Sequence, residues 1–222
     1  VHEQRRERLH TLRVENDHAE PVDVIFEVPR VQGHRVEPRD NVTAIADDIP
    51  AQAAVWYALP DGSYSTAEKG ASGESLQDRD YFPALMSGKT ILGSLVVSKS
   101  TGHRSIIVAA PVMEGGRTIA AVGASVRARL LSRLVEDATA MPSDLILYTL
   151  DPAGRTVLHR DPDKMFEYPS EQGDPGLRDA VTEMLSHPSG SLTYSYGGKE
   201  RDAVFSASKL TGWTFVLVKV RG

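Results

Sequence analysis

Residues 77–89 read QDRDYFPALMSGK and place Arg79 between two aspartates, just ahead of two aromatic residues. The apolar run that follows and the glycine that closes it predict a short helix. Arg79 then has two interpretations. It forms a surface ion pair with Asp78 or Asp80, or it lies in a pocket with aromatic walls and meets an anionic ligand.

The composition is that of an ordinary folded protein. The chain has 222 residues, 41% hydrophobic and 25% charged, which is enough for one large or two small domains. A formal charge of -5 without a dominant basic patch argues against nucleic acid as a partner. The lack of cysteine excludes disulfides, thiolate zinc sites and a cysteine nucleophile. No apolar run is long enough to predict a membrane span. Both ends look cut, so we expect a piece of a longer protein.

The first 50 residues differ from the rest of the chain. Residues 3–19 are rich in charge and free of Gly and Pro, which predicts a mostly solvated N-terminal helix. Residues 22–28 are ambiguous between helix and strand, and Asp40 can cap a second short helix. We therefore assign residues 1–50 to an N-terminal helical region.

From residue 51 onward, β-prone runs separated by turn signals replace this pattern. In a first pass the runs cover residues 54–59, 91–98, 105–113 and 118–124, and in a second 145–150, 155–159, 191–196, 203–208 and 213–220. Tyr57 and Tyr148 occupy matching points about 90 residues apart, which indicates an internal repeat. Chance similarity of two β meanders is the alternative. We predict an α+β fold of two tandem subdomains, residues 51–137 and 138–222, each an antiparallel sheet flanked by helices.

Seven short motifs occur in a fixed order along these two halves. They are residues 57–64 (YALPDGSY), 78–82 (DRDYF), 97–102 (VSKSTG), 109–112 (AAPV), 121–123 (AVG), 150–155 (LDPAGR) and 159–163 (HRDPD). Together they resemble the double Cache domain, the extracytoplasmic module of prokaryotic sensor kinases, chemoreceptors and cyclic-dinucleotide enzymes. The resemblance implies two PAS-like (Cache) subdomains: a membrane-distal one at 51–137, which holds the ligand pocket, and a membrane-proximal one at 138–222.

The resemblance also implies a function. We expect the sensor domain of a transmembrane receptor in a periplasmic or extracellular location, and favour a sensor histidine kinase over a chemoreceptor or a diguanylate cyclase. The expected partners are a small organic acid, flanking transmembrane helices and a second copy of the chain along the first helix. An extracytoplasmic interaction module without a small-molecule ligand is the alternative.

In this family the Arg-x-Tyr-Phe segment and the distal sheet enclose the ligand cavity, and the arginine often receives a carboxylate, which a guanidinium matches with two parallel hydrogen bonds. The alternative to Arg79 as a ligand residue remains the surface ion pair, and the aromatic residues could equally be plain core. With the resemblance we predict eight ligand-binding residues: Arg79, Tyr81, Tyr57, Tyr64, Ser98, Lys99, Ser100 and Thr101.

Strand alternation and side-chain chemistry select the members of this set other than Arg79 and Tyr81. Trp56 and Tyr57 point to opposite faces, and we favour Tyr57 as the pocket wall. Tyr64, on the returning strand, is a second wall or a half-exposed sheet residue. Ser98 would face the cavity, Lys99 lies where alternation fails, and the two hydroxyl residues that follow could donate to an acid.

Amino-acid sensors of the family hold the ligand's ammonium group with further aromatic and acidic residues. The resemblance places those positions at Val96, Ser98 and Ser125, none of which is acidic or aromatic. A buried ammonium without a carboxylate partner is costly. We therefore expect a small carboxylate in preference to a free amino acid.

No enzymatic motif is present. The sequence lacks a nucleophile elbow, a phosphate loop, a dinucleotide fingerprint and a His-Glu-x-x-His pair, so we predict no catalytic residue and no cofactor. His159, Asp161 and Asp163, near Asp151, could coordinate a cation. Neighbouring prolines make these segments turns, where Asp usually caps backbone, so we predict no metal.

Overall fold

The computed structural model describes the backbone of residues 9–16 and 19–27 and the complete residues 53–99 and 102–221. The described strands form antiparallel sheets of two, six and five strands. The chain divides into two compact units. The first unit contains residues up to Lys89 together with Ala110–Ala124, and the second contains Thr90–Ala109 together with residues from Ser125 onward. The predicted α+β class is confirmed, and the boundaries predicted at residues 51 and 138 stay a prediction.

The N-terminal segment is a β-hairpin, so the predicted helix is wrong over its described residues. Strand β1 (Leu9–Asn16) pairs with β2 (Ala19–Glu27), and Leu12 stands opposite Val24. The helix prediction rested on charge and on the lack of breakers. The valines at alternate positions of β2 favour a strand instead, and pairing gives β1 hydrogen bonds beyond its own segment. The helix predicted after Asp40 lies outside the described residues.

The six-stranded sheet follows most of the predicted runs of the first pass. Its strands are β3 (Ala53–Ala58), β4 (Ser63–Thr66), β5 (Gly70–Ser75), β6 (Ile91–Val97), β7 (Arg104–Glu114) and β8 (Arg117–Arg127). Their order across the sheet is β5-β4-β3-β8-β7-β6. The quoted motif forms the predicted short helix, α1 (Phe82–Met86), and Gly88 just beyond it adopts a φ of +91°.

Helix α2 (Ala128–Thr139) follows β8 directly and has Arg127 at its N-cap without a side-chain hydrogen bond. Ser125, a residue type that favours N-caps, lies two positions earlier. The β-branched Val126 explains why the helix does not begin at this serine, because it continues strand β8 past it.

The five-stranded sheet carries the core of the second pass. Its strands are β9 (Leu145–Leu150), β10 (Thr156–His159), β11 (Ser189–Tyr196), β12 (Lys199–Ala207) and β13 (Thr214–Val220), in the order β10-β9-β13-β12-β11. One face packs against helix α3 (Pro175–Ser186) around the fully buried Leu150, Met184 and Val216. Asp174 caps α3, because its Oδ1 accepts a hydrogen bond from the Leu177 N–H at 3.1 Å.

The first hairpin of each large sheet closes with the same turn. The Leu59 N–H donates to the Ser63 carbonyl at 2.9 Å, and the Asp151 N–H donates to the Arg155 carbonyl at 2.8 Å. In each turn the residue just before the returning strand is a glycine with a positive φ, Gly62 in the first and Gly154 in the second. A residue with a Cβ rarely adopts such a φ. The two sheets therefore begin with equivalent hairpins.

This equivalence corrects the alignment of the internal repeat by one residue. Because Leu59 corresponds to Asp151, it is Trp56 that corresponds to Tyr148, and Tyr57 has the next position. A slip of one residue exchanges the two faces of a strand. The sequence alignment of Tyr57 with Tyr148 thus paired residues from opposite faces.

Candidate functional site

Arg79 lies in a tight turn immediately before α1. Its N–H donates to the Leu76 carbonyl at 3.0 Å, and its carbonyl accepts from the Phe82 N–H at 2.9 Å. The residue is half-buried, in contrast to the exposed Asp78 and Asp80 on either side. The backbone of the turn therefore fixes the start of the guanidinium side chain beside the first turn of the helix.

Two buried tyrosines lie close to Arg79. Tyr64 is 9% exposed and Tyr81 is 7% exposed. Burial raises the pKa of Tyr81 to about 12; the charge of Arg79 opposes this rise, while Tyr64 and Asp78 add to it. Both Arg79 and Tyr64 therefore act electrostatically on the Tyr81 phenol. The structure thus brings together three of the eight predicted residues.

The indole of Trp56 forms the floor beside these residues. Its ring centroid lies 6.5 Å from that of Tyr81, with the planes tilted by 35°. Gly123 on β8 lies directly against the indole, since a Cβ at that position would overlap Cζ2 of Trp56. Trp56 therefore occupies the face of the sheet on which Tyr81 and Tyr64 lie.

Tyr57 lies on the opposite face of β3 from Trp56. It is half-buried and packs with Ile119 and Val122 around the buried Val112 and Ala120. Burial raises the pKa of its phenol. The structure therefore does not bring Tyr57 to the side of the sheet that carries Tyr64 and Tyr81.

The remaining predicted residues follow strand β6. Ser98 is partly buried; its N–H donates to the His103 carbonyl and its carbonyl accepts from the Gly102 N–H, both at 2.8 Å. Lys99 is exposed. Residues 100 and 101 lie outside the described part of the chain. As ligand residues, these four stay predictions.

The structure also contains a pocket that the sequence did not predict, on the helix-bearing face of the five-stranded sheet. Its cavity volume is about 60 Å³, and the pocket is partly open to solvent. We call it the Arg201 pocket. Its polar lining is Tyr148, Thr156, His159, Lys164, Gln172, Tyr194, Tyr196 and Arg201, and its apolar lining is Ile146, Pro169, Leu177 and Val218.

Arg201 extends from the buried face of β12, the face that also carries Ala203 and Phe205. Its Nε is buried and has no hydrogen-bond partner among the described residues. The guanidinium carbon lies 4.9 Å from the centroid of the Tyr196 ring, and the Nζ of Lys164 lies 5.9 Å from the same centroid. Two cations therefore share one aromatic ring.

Hydrogen bonds hold the aromatic walls of this pocket in place. Burial raises the pKa of the Tyr148 and Tyr194 phenols. The Tyr148 hydroxyl donates to Met184 Sδ at 3.6 Å. The Tyr196 hydroxyl donates to Gln172 Oε1 at 3.2 Å. The phenols of Tyr148 and Tyr196 thus have fixed orientations.

His159 contributes a neutral imidazole to the lining. Burial and the neighbouring charge of Lys164 lower its pKa to about 4, with Arg160 acting in the same direction and Asp161 opposing them. The Asp161 N–H donates to His159 Nδ1 at 2.8 Å, so the ring proton is on Nε2. His159 therefore offers one N–H donor near neutral pH.

A sequence signal for the Arg201 pocket did exist. The run predicted on β12 began at residue 203, but the strand begins at Lys199. Extended backward with period two from Phe205 and Ala203, the buried face reaches Arg201. A charged residue on a buried strand face indicates a functional role, because charges are rarely buried without one.

The acidic residues near His159 have backbone partners. Asp161 Oδ1 accepts from the Asp163 N–H at 3.1 Å, and Asp151 Oδ1 accepts from the N–H groups of Ala153 and Arg155 at 3.0 and 2.9 Å. Within residues 53–99 and 102–221, no group of three or more His, Asp or Glu side chains could hold a metal ion. In the part of the chain that the structure describes, no helix is long and apolar enough to cross a membrane.

Comparisons with known proteins find similarity at the level of structure. No protein-family model matches the sequence, and no curated protein matches it. The extracellular domain assigned to the histidine kinase mmHK1S-Z2 superposes with a TM-score of 0.62 at 16% identity, over 81% of this chain and 79% of that one.

Two chemoreceptor ligand-binding domains are also similar. That of PctB from Pseudomonas aeruginosa, in complex with L-Arg, gives a TM-score of 0.58 at 15% identity over 76% of this chain and 71% of its own. The ligand-binding domain of Tlp3 from Campylobacter jejuni, in complex with 4-methylisoleucine, gives a TM-score of 0.59 at 14% identity, over 82% of this chain and 70% of its own. The tandem PAS-like fold of double Cache sensor domains is therefore confirmed for this chain, as the motifs predicted.

Proposed function

We propose that this chain is the extracytoplasmic ligand-binding part of a transmembrane signalling receptor, and that Arg79 binds the carboxylate of a small organic acid. One observation carries the proposal: the charge of Arg79 acts on the buried Tyr81, on which the buried Tyr64 also acts. The fold adds support, because its solved neighbours include ligand-binding domains of chemoreceptors and extracellular domains assigned to histidine kinases.

The chemistry of the group suits an anion. A guanidinium presents its donors as a planar fork that matches both oxygens of a carboxylate. With its pKa raised to about 12, Tyr81 keeps its proton near neutral pH and its hydroxyl remains a donor. Each charge-assisted hydrogen bond in such a place contributes about 1.5 to 3 kcal/mol.

Among the solved neighbours, PctB and Tlp3 were crystallised with amino acids, and CtaA from Pseudomonas fluorescens with L-serine. We propose a carboxylate without a free ammonium group for this chain. The three positions that the family resemblance assigns to ammonium binding are Val96, Ser98 and Ser125, and none supplies a negative charge. An acid that lacks the amino group avoids burying an uncompensated cation.

The output of binding is a conformational change. A ligand shifts a receptor between two states only by the difference in its affinity for them. Strand β13 lies in the middle of the five-stranded sheet and is hydrogen-bonded to β9 and β12. We propose that the change passes through this strand toward the membrane, and favour a histidine kinase as the output. Pairing of two copies stays a prediction.

A thermal-shift screen of the purified chain against organic acids, amino acids and purines tests the proposal. A ligand at 100 times its Kd stabilises a protein by about 2.7 kcal/mol, which corresponds to roughly 5 to 10 °C for a chain of this size. We expect such a shift with at least one organic acid and its loss in Arg79→Ala. Arg178→Ala is the matched control, because Arg178 is an exposed arginine paired with its neighbour Asp179.

Two outcomes would contradict the proposal. If no compound shifts the melting temperature, the chain is better described as an interaction module without a small ligand. If an acid stabilises the wild type and Arg79→Ala equally, Arg79 is a surface residue, as in the ion-pair interpretation. Asp78→Asn separates these cases further, because removing a carboxylate that competes for the guanidinium should strengthen binding of the acid if Arg79 binds it and should leave binding unchanged if Arg79 is a surface residue.

A further inference from the structure

We infer that the Arg201 pocket is a second binding site of this chain, and that it takes a small organic carboxylate with an apolar body. The inference goes beyond the proposed site at Arg79. It rests on the second unit alone, on the charge and hydrogen bonding of the residues that line the pocket.

The pocket has an excess of positive charge. Arg201 and Lys164 both lie against the Tyr196 ring, and no lining residue is acidic. Asp174 is close enough to interact electrostatically with Arg201, but its Oδ1 accepts from the Leu177 N–H and its Oδ2 from the Gly197 N–H. Both of its carboxylate oxygens are therefore engaged by backbone N–H groups, and among the described residues neither Arg201 nor Lys164 forms an ion pair within 4.0 Å.

The polar lining is also rich in donors. The Nε of Arg201 is buried and has no hydrogen-bond partner among the described residues, and a buried donor without an acceptor costs free energy. His159 adds an N–H at Nε2, because its Nδ1 already accepts from Asp161. An anionic ligand would supply the missing acceptor and the missing charge together.

The rest of the lining selects an organic anion over an inorganic one. Ile146, Leu177 and Val218 form an apolar wall, and hydrogen bonds of the Tyr148 and Tyr196 hydroxyls fix the orientation of those two rings. A carboxylate can bind the guanidinium in bidentate fashion while its carbon skeleton contacts this wall. Phosphate has no apolar part to place there.

Isothermal titration calorimetry with benzoate tests the inference in the Arg79→Ala protein, which removes the other proposed site. We expect millimolar or tighter binding of benzoate and none of neutral benzamide. Arg201→Gln should weaken the affinity about ten- to a hundredfold, the loss expected for one charge-assisted hydrogen bond. Lys164→Gln should weaken it several-fold, and the exposed control Arg178→Gln should leave it unchanged.

Several results would overturn the inference: no heat with benzoate, equal binding of benzamide, binding of inorganic phosphate but not benzoate, or an undiminished affinity in Arg201→Gln. Circular dichroism checks the fold of each variant. If Arg201→Gln does not fold, Lys164→Gln decides, because removing that rim cation should weaken benzoate binding without disturbing the core. Since Arg79 is already replaced, failure here leaves the proposed function untouched, and failure of the Arg79 screen leaves this site untouched.

Discussion

Replacing Gly123 by alanine tests the packing that positions Trp56 beside Tyr81. A Cβ at residue 123 would overlap Cζ2 of Trp56 and lie 2.6 Å from its Cε2. Carbon atoms pack at about 3.5 to 4.0 Å, so the indole would have to move by about 1 Å. The ring is only 3% exposed, and Tyr81 lies next to it. The indole therefore has no free space into which it could move.

The expected cost follows from two opposing effects. Overpacking a buried site costs about 1 to 3 kcal/mol. Replacing a glycine whose backbone angles suit alanine returns about 0.4 to 1 kcal/mol, because the unfolded chain loses freedom. Gly123→Ala should therefore lower the free energy of unfolding by about 1 to 2 kcal/mol. Gly73, also a strand glycine, has nothing within 4 Å of its added Cβ. Gly73→Ala should be neutral or stabilising.

Urea denaturation followed by circular dichroism measures both variants, and a double-mutant cycle identifies the cause. In a Trp56→Phe background the smaller ring leaves room for the new methyl group, so the cost of Gly123→Ala should largely disappear. An equal cost in both backgrounds, or equal stability of Gly123→Ala and Gly73→Ala, would show that the indole does not pack on residue 123. Trp56 would then not be held against Gly123 beside Tyr81 as described above.

Two further predictions concern the second unit. Burial lowers the pKa of His159 from 6.5 to about 4, so between pH 6.5 and 4 the imidazole is protonated in the unfolded chain but not in the folded chain. The free energy of unfolding should therefore fall by about 3 kcal/mol as the pH drops from above 6.5 to 4. In urea denaturation, His159→Asn should show a flatter dependence of stability on pH than the wild type, and equal slopes would contradict the prediction. Thr149 is fully buried, and its Oγ1 accepts from the Leu158 N–H at 3.1 Å where β10 departs from regular pairing. Thr149→Val should cost about 1 to 3 kcal/mol and accelerate hydrogen exchange at Leu158, whereas an unchanged exchange rate would show that the amide has another partner.

Local patterns in the sequence predicted most of the sheets, because period-two runs and turn residues act over a few positions. In the Pro60-Asp61-Gly62 turn the Asp61 side chain accepts from the Ser63 N–H, and Asp174 caps α3 in the same way. Both features depend on residues that are close in the sequence. The N-terminal helix was wrong because a polar, breaker-free segment suits a solvated helix and a paired strand alike. What decided between them was a partner strand, which composition does not reveal.

The candidate sites were harder to predict because each depends on the face to which a side chain points. Strand alternation predicts that Trp56 and Tyr57 point to opposite faces, but it does not show which of the two faces carries Tyr64 and Tyr81. Arg201 was missed because the predicted run on β12 starts at Ala203, four residues after the strand begins. The boundaries of an element are the least reliable part of a prediction from sequence patterns.

The presence of Arg201 itself argues that the second unit does more than support the first. Positions 203 and 205 on the same face carry Ala and Phe, both buried, and an apolar residue at 201 would extend that core without an unpaired donor. Replacing buried charges by apolar residues is often neutral or stabilising. Arg201→Met should therefore leave the stability of the ligand-free chain unchanged or increased, although it removes the contact with Tyr196. A clear loss of stability would show instead that the arginine is a structural element of the sheet, held by Tyr196, and that the pocket needs no anion to explain it.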